Sequence, residues 1–432
     1  MEIIAVVGEQ RGDEGKGRLV DELAAEADIV ARGNGGPNAG HTVCSPDGEV
    51  YKLHLVPSGI IHPHTLNIIG PGALVDPEKL VNEIGTLQQQ GVIINEDNFN
   101  ISGASHLIIP SHIILDANRE SGPNRQGSTK SGIAPGAASK YMRSNGRMEM
   151  INNPDDMLQF VFESIREIRS IFGQLFRYKE KQDRQRAEDF VKTSLELGKF
   201  ITDTTFKIHQ MAMSKPDLKI LAEGAQAFQL DIDHGMYPMV TSSSTTAAGL
   251  LNGIGLPPKN VKEIIGVSKM IQSHVGDGSF VTEIHDEKLL DALHGDKSKI
   301  DAETGTTTGR VRRLGHYSLP DILRSQMVNG TTSRAVTKFD WLPRYGDQIS
   351  ICDGYYRKGK LYKVAPDADY KRRQCVPHLR YFPTWKEDIS KIRVYEDLPQ
   401  EAKDIVEFIE ESTQVNINFI GVGPGRDEAI VK

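Results

Sequence analysis

The sequence predicts an α/β protein with a P-loop-like fold: a large, mostly parallel central sheet, an inserted helical subdomain and a small β-hairpin region. Three observations predict it. The apolar run Ile3 to Val7 reads as a buried strand, breaks into the glycine-rich stretch Gly8 to Gly17, and resumes at helical spacing through Leu19, Val20, Leu23 and Ala24. Short apolar runs ending in polar turns then recur along the chain, the pattern of parallel strands that carry their functional loops at one edge. One stretch, Asp155 to Met213, has helical periodicity alone.

The first loop is a phosphate cradle. Gly12, Gly15 and Gly17 let backbone N–H groups approach an anion, the helix N-terminus adds positive dipole, and Lys16 adds a full charge. A standard P-loop places Ser or Thr after the lysine to hold Mg²⁺. Gly17 stands there instead, so Asp13 inside the loop is the replacement metal ligand. A second strand, Ile29 to Arg32, feeds a second polar loop from Gly33 to Thr42 that contains Asn38, Gly40 and His41. Two such loops after adjacent parallel strands would face each other across the carboxyl edge of the sheet, with Asp13 and His41 in one site. A plain glycine-rich connection with a solvated Asp and a satisfied His is the competing explanation.

The bulk numbers exclude several classes. A chain of 432 residues can bury a large core, and its net charge of -7 with mixed signs argues against general binding to nucleic acid or a membrane surface. Cys44, Cys352 and Cys375 form no C-x-x-C pair, so neither a zinc site nor a disulfide framework is suggested. No signal-like segment opens the sequence and no apolar run is long enough to span a bilayer, so a soluble, cytoplasmic protein is expected.

The remaining elements follow in order. Leu66 to Ile69 reads as a strand, and Asp76 with Pro77 as the N-cap and first residue of a helix. Residues 101 to 115 hold two more short apolar runs. Gly127 to Gly136, with Lys140 and Arg143 beyond it, is hydroxyl-rich and basic, which suits a monophosphate and equally suits a mobile surface loop. Leu218 to Ala222 is a strand that delivers Glu223, Gly224, Ala225 and Gln226, followed by Leu230 to Gly235 and the hydroxyl run Thr241 to Thr246. Gln226 could donate to an oxyanion and the hydroxyls could hold a phosphate, although capped turns explain the same letters. In Gly305 to Arg313, alternation sets Arg310 and Arg312 on one side, a spacing for bidentate capture of carboxylate or phosphate, with a solvated basic loop as the alternative. Thr337 Lys338 Phe339 Asp340 is a T-K-x-D tetrapeptide after an apolar run. In GTP-binding proteins such a lysine packs on the guanine while the Asp accepts from its N1–H; strand ends often carry Lys and Asp, but with a phosphate loop far upstream in the same chain the tetrapeptide points to a GTP-binding fold. Ile349 to Arg357 and Leu361 to Val364 read as a hairpin, Pro399 starts an amphipathic helix, and Val415, Ile417 and Phe419 alternate as a strand into Gly421 to Arg426.

In this order and over nearly the whole chain, the blocks Gly12–Gly17, Asn38–Thr42, Gly127–Pro135, Glu223–Gln226 with Leu230–Gly235, Thr241–Thr246, Thr307–Arg313, Thr337–Asp340 and Gly423 with Pro424 resemble the adenylosuccinate synthetase family. The resemblance implies a GTP-dependent ligase of AMP synthesis that joins L-aspartate to IMP through 6-phosphoryl-IMP. It implies Asp13 as general base and His41 as general acid, with Gln226 stabilising charge at O6. For GTP it implies Gly12, Glu14, Gly15, Lys16, Gly17, Gly40, His41, Thr42, Arg312, Lys338, Asp340, Gly421 and Gly423. For IMP it implies Asp13, Asn38, Thr129, Arg143, Gln226, Thr241 and Arg310, and for aspartate Asn38, Thr307, Thr308, Arg310 and Arg312. One Mg²⁺ per subunit on Asp13 and Gly40, and a homodimer in which Arg143 reaches the partner's site, are implied as well. The whole chain, 1–432, would be a single domain, divided into a nucleotide-loop half (1–150), the helical insert (151–215), substrate and aspartate loops (216–340) and a hairpin and guanine-side part (341–432).

The sequence departs from the family pattern at several places. Arg11 replaces a Trp, Pro37 a His, Lys130 Ser131 a Gly-Arg, His274 an Arg and Gly421 a Ser, while Asp277 and Ser279 alter the Val275 Gly276 loop. Two other functions therefore stay open at this point. One is ligation of aspartate to another 6-oxopurine nucleotide such as dGMP. Relatives of that kind typically lose the loop aspartate, whereas Asp13 is retained, yet guanine also carries an N1 proton. The other is a non-catalytic GTP-binding regulatory protein, which would leave Gln226 and the Arg310 to Arg313 loop without work.

Overall fold

The computed structural model describes all residues except 46–47, 123–126, 173–179, 296–302 and 304–310. Ten strands form the central sheet: β1 (Glu2–Gly8), β2 (Ile29–Arg32), β3 (Leu66–Ile69), β4 (Phe99–Ser102), β5 (Ile201–Thr202), β6 (Lys219–Glu223), β7 (Val261–Lys269), β8 (Ser333–Thr337), β9 (Ile417–Gly421) and β10 (Ala429–Val431). Their spatial order is β10-β9-β8-β7-β1-β6-β2-β3-β4-β5. Every pairing is parallel except that of the edge strand β10 with β9. The parallel strands are apolar on both faces because helices cover both.

β1 and β2 are not neighbours. β6 lies between them, with Ile220 in register with Ile3 on one side and Ile29 on the other. The two polar loops therefore do not meet directly, as adjacent strands would have made them; they flank the end of a third strand, which carries Glu223. A crossover connection leaves room for such a strand, and short-range sequence pattern does not specify which one fills it.

Helix α1 (Lys16–Ala24) buries Leu19, Val20 and Ala24 against Val6, Val30, Leu221, Val267 and Ala335. The other face of the sheet packs Ile3, Ala5, Ile29, Ile68 and Ile220 on the helix Ala247–Ile254. Asp76 caps helix α2 (Pro77–Gln89) by accepting from Lys79 N–H, with Pro77 at the first position. Helices α3 (Pro110–Glu120) and α4 (Ile133–Met142) follow. The stretch with helical periodicity forms α5 (Pro154–Phe172), α6 (Glu180–Ser194) and a further helix, Thr204–Ser214. Met157, Val161 and Ile165 of α5 meet Phe190 and Val191 of α6 in one core with Leu80, Ile84, Phe99 and Ile101. Each such fully buried side chain contributes about 1.5–3 kcal/mol of transfer free energy. The same stretch supplies β5, which extends the central sheet.

A second, five-stranded sheet comprises Ile271–His274, Arg313–Ser318, Gln348–Arg357, Lys360–Tyr362 and Val376–Pro383. The hairpin read from the sequence is its Gln348–Arg357/Lys360–Tyr362 pair, turned at Lys358 and Gly359, both with positive φ (49° and 74°). Among the described residues no helix is long and apolar enough to cross a membrane.

Candidate active site

A cleft of about 430 Å³ opens at the carboxyl edge of the central sheet. The phosphate loop forms its floor, with Gly12, Asp13 and Gly15 all at positive φ. A left-handed backbone is ordinary for glycine and unusual for Asp. Glu14 secures the loop from inside: its carboxylate accepts from Gly12 N–H at 2.8 Å and from Lys16 Nζ at 2.5 Å, while its carbonyl accepts from Thr337 Oγ1 of β8 at 2.8 Å. Gly17 now has a physical reason. A Cβ there would stand 2.6 Å from the Cβ of His41, so the hydroxyl residue of a standard P-loop has no room.

His41 opens a short strand, His41–Cys44, and its Nδ1 is hydrogen-bonded to Glu223 at the end of β6. Glu223 also accepts from Ser58 N–H and Ser58 Oγ, each at 2.8 Å. Burial alone would raise this carboxyl. The charge and hydrogen bond of His41, with Arg32 and the Ser58 amide, outweigh it and hold Glu223 down at about 2. The pair is therefore an ionised carboxylate accepting Nδ1–H, which leaves Nε2 as the ring nitrogen not engaged by Glu223. Burial, with Arg32 and Lys16 nearby, lowers the imidazole's own pKa against the pull of Glu223. No role for Glu223 was read from the sequence. The available signal was a carboxylate ending an otherwise apolar buried strand.

A third group gathers where β6 runs out. Asn34 and Ala225 exchange two hydrogen bonds, at 3.1 and 3.0 Å, fixing the second loop against the turn after β6. Gln226, at φ 59°, donates to Asn38 at 3.2 Å, and Asn38 donates to Thr241 at 3.4 Å. Gln226 Oε1 is buried without a partner among the described residues. Buried Asp231 organises the surroundings by accepting from the N–H groups of Asp233, His234 and Thr245.

The opposite wall is ionic. Arg312 meets Asp13 at 2.8 Å and Glu303 at 3.0 Å. Glu303 is also bonded to Lys269 at 3.0 Å and, closely, to Lys338. Three cations overcome burial and hold its carboxyl well below the usual range. Burial lowers Lys338, opposed by Glu303, to about 8. Lys338 has positive φ and sets Nζ 3.6 Å from the centre of the Trp341 ring.

The cleft brings together Gly12 to Gly17, Asn38, Gly40, His41, Thr42, Thr129, Gln226, Thr241, Arg312 and Lys338. Gly421 and Gly423 lie outside it around Arg18, which donates to Gly423 O at 2.5 Å and feels the charge of Asp340. Arg143 ends α4 at positive φ, exposed and away from the cleft. Thr307, Thr308 and Arg310 fall outside the described residues.

A model of the adenylosuccinate synthetase family matches residues 5–430. This chain belongs to that family. It is 40% identical over 434 residues to the adenylosuccinate synthetase of Caldicellulosiruptor bescii, covering 100% of this chain and 99% of the relative, and 37% identical over 435 residues to that of Alkaliphilus metalliredigens, with the same coverage. The solved structure of fully ligated adenylosuccinate synthetase from Plasmodium falciparum superposes with a TM-score of 0.89 at 30% identity, over 100% of both chains. A cyanophage S-2L succinoaminodeoxyadenylate synthetase bound to dGMP and dATP shares the fold, with a TM-score of 0.62 at 19% identity over 100% of this chain and 95% of that one.

The chain is accordingly a C–N bond-forming ligase that uses GTP to join L-aspartate to IMP in AMP biosynthesis. That decides against the regulatory reading and against dGMP as the acceptor. Two departures from the family pattern acquire contacts. Arg11 donates to Ser279 O at 2.9 Å with its guanidinium 4.4 Å from the centre of the Phe280 ring, and burial brings it down to about 10. His274 lies at 3.2 Å from Asp277 O, and burial with Arg11 alongside brings it to about 3, so it is neutral. Nothing in the structure explains Pro37.

Proposed function

We propose that Asp13 is the base that takes the N1 proton of IMP, and that His41, which takes up a proton at Nε2 once the GTP phosphates add their negative charge to that of Glu223, donates it from there to the transferring phosphoryl group. The observation that carries this is the convergence of Asp13 and His41, from two different strand ends, on one cleft that also holds Lys16. Loss of N1–H puts charge on O6, which attacks the γ-phosphorus of GTP. The O6–P bond forms as the bond to GDP breaks, and Asp13 keeps the proton. Gln226 donates to O6 while Lys16, Gly15 and the α1 N-terminus hold the phosphates. The amine of L-aspartate then attacks C6, and phosphate leaves carrying oxygen 6. Each acid–base contribution is worth about 10²–10⁴ in rate.

Lys338 packs on guanine and Asp340 accepts from its N1–H, with Gly421 and Gly423 closing over the base. Asn38, Thr129 and Thr241 hold IMP, and Arg310, Arg312, Thr307 and Thr308 take the aspartate. Mg²⁺ fits the donor set of the loop. Asp13 is partly exposed to the cleft, and a single carboxylate with the Gly40 carbonyl suits an ion that takes its other ligands from phosphates and water. Bound there, it would neutralise charge on the γ-phosphate. Arg143 serves the partner's site in a homodimer. Its exposure beside Tyr141 (77% exposed) and Met142 (74%) supports that assignment.

The test is phosphate release from GTP with Mg²⁺ and L-aspartate, comparing IMP, GMP and dGMP. Release that needs both IMP and aspartate and falls about 10²-fold or more in Asp13→Ala supports the reading. Unchanged release in that variant would overturn Asp13 as the base.

A further inference from the structure

Glu303 has no assigned part in the reaction, yet it is the most heavily paired carboxylate in the cleft. It is 1% exposed, and its two oxygens divide their partners. Oε1 accepts from Lys338 and, at 3.3 Å, from Lys269; Oε2 accepts from Lys269 and from Arg312 Nη1, both at 3.0 Å. Its main chain is fixed as well, its N–H donating to His294 O and its carbonyl accepting from Arg312 N–H, both at 3.1 Å.

Each partner belongs to a different part of the site. Lys338 follows β8 and stands against Trp341. Lys269 ends β7, and Gln10 beside the phosphate loop holds its main chain by two hydrogen bonds, at 3.0 and 2.9 Å. Arg312 carries the connection onward to Asp13. A guanidinium is a rigid planar fork, so anchoring one end on Glu303 fixes where the other end points. An unbroken chain of ion pairs thus runs from Asp13 through Arg312 and Glu303 to Lys338.

We propose that Glu303 is a positioning residue that couples Lys338, on the base side of the GTP site, to Asp13 through Arg312. This rests on the reading that Lys338 meets guanine and Asp13 meets IMP. A guanine that draws Lys338 onto its ring redistributes the load on Glu303, and Arg312 carries that change to Asp13. Filling the base pocket therefore readies the carboxylate that acts on IMP. A counterion that served only to neutralise Lys269 would not need the other two contacts.

A double-mutant cycle tests the coupling on the full-length protein: wild type, Glu303→Gln, Lys338→Met and the double variant, with KM for GTP and kcat measured on each and circular dichroism confirming the fold. The coupling predicts that each single change raises KM for GTP about tenfold or more, and that the double variant is within about twofold of the worse single. Glu303→Gln also lowers kcat about tenfold, because Arg312 loses its anchor. Additive losses, or full activity in Glu303→Gln, would overturn it. No effect of Lys338→Met on KM for GTP would instead overturn the guanine assignment and this inference with it. If Glu303→Gln does not fold, Glu303→Asp, which keeps the charge but retracts it by one methylene, enters the same cycle under the same criteria.

Discussion

At the scale of single residues, the site is set by side chains that could not be larger, or differently charged, without displacing a neighbour. Gly17 is the sharpest case. Restoring the usual P-loop hydroxyl with Gly17→Ser would drive a Cβ into the Cβ of His41, 2.6 Å away. The expected result is overpacking worth about 1–3 kcal/mol. The imidazole is also pushed off Glu223, with a loss of about 10² in kcat, the lower end of a general acid's contribution. Steady-state kinetics and a denaturant midpoint check both; a variant with unchanged kcat would show that His41 has space to retreat. Asp13, Gln226 and Lys338 share a left-handed backbone, at φ 59°, 59° and 54°. Side chains other than glycine tolerate it at a cost of order 1–3 kcal/mol each, and such conformations cluster at functional sites. That clustering was invisible in the sequence: Asp is among the side chains that adopt this conformation more readily, but neither Gln nor Lys marks it.

At the scale of elements, the phosphate loop depends on how β1 is tied to its neighbours. Directly after β1, Glu9 is fully buried and grips Arg334 of β8 through two hydrogen bonds, at 2.7 and 3.2 Å, while Arg334 also reaches Thr413 and Gln326. The guanidinium is entirely inside the protein, and although burial opposes its charge, Glu9 raises its pKa. Glu9→Gln is expected to cost about 3–5 kcal/mol by leaving a buried charge unpaired. Replacing both partners with apolar residues, Glu9→Leu with Arg334→Met, is expected to cost much less. Urea unfolding of the three proteins measures this, and equal losses in the single and double variants would show that packing rather than charge is at stake. The pair spans 325 residues, which is why no periodicity hinted at it. What the sequence did show at this scale was local chemistry: the Asp76–Pro77 helix start, the Lys358–Gly359 turn, and the strand–loop–helix run from Ile3 to Ala24. The place of β6 between β1 and β2, and with it the meeting of Glu223 and His41, depends on pairing across 182 residues and was out of reach.

At the scale of the molecule, the central sheet, the second sheet and the cleft between them are joined by buried carboxylates that must stay ionised. Glu223 joins β6 to the second polar loop, Glu303 joins the two lysines and Arg312, and Asp321 pairs with Arg372 at 2.5 Å behind the second sheet. For all three, burial acts to raise the pKa and facing cations or hydrogen bonds bring it below the ordinary value of such a carboxyl, 4.5 for the glutamates and 3.8 for the aspartate. A depressed folded-state pKa means that the unfolded chain binds protons first. The stability from these groups is then complete above the unfolded values and lost as pH falls through them, toward about 2 for Glu223. Asp76 and Glu83 act in the opposite sense, since burial raises both and their protonation eases folding in acid. Each of these is held by backbone N–H groups rather than by a buried cation. Thermal stability is therefore expected to begin falling below about pH 6.5, where the unfolded chain's histidines take up protons that His106, His112, His274 and His316, all lowered by burial, do not, and to fall further below about pH 4.5 as the carboxylates follow. Glu223→Gln should lower the melting temperature at pH 7 and flatten that acid slope, because one of the groups that takes up protons only on unfolding is gone. Melting temperatures from pH 7 to pH 3 for the two proteins decide it: parallel curves would mean that Glu223 binds protons equally in the folded and unfolded states, and the depressed carboxyl of the Glu223–His41 pair would fall with them.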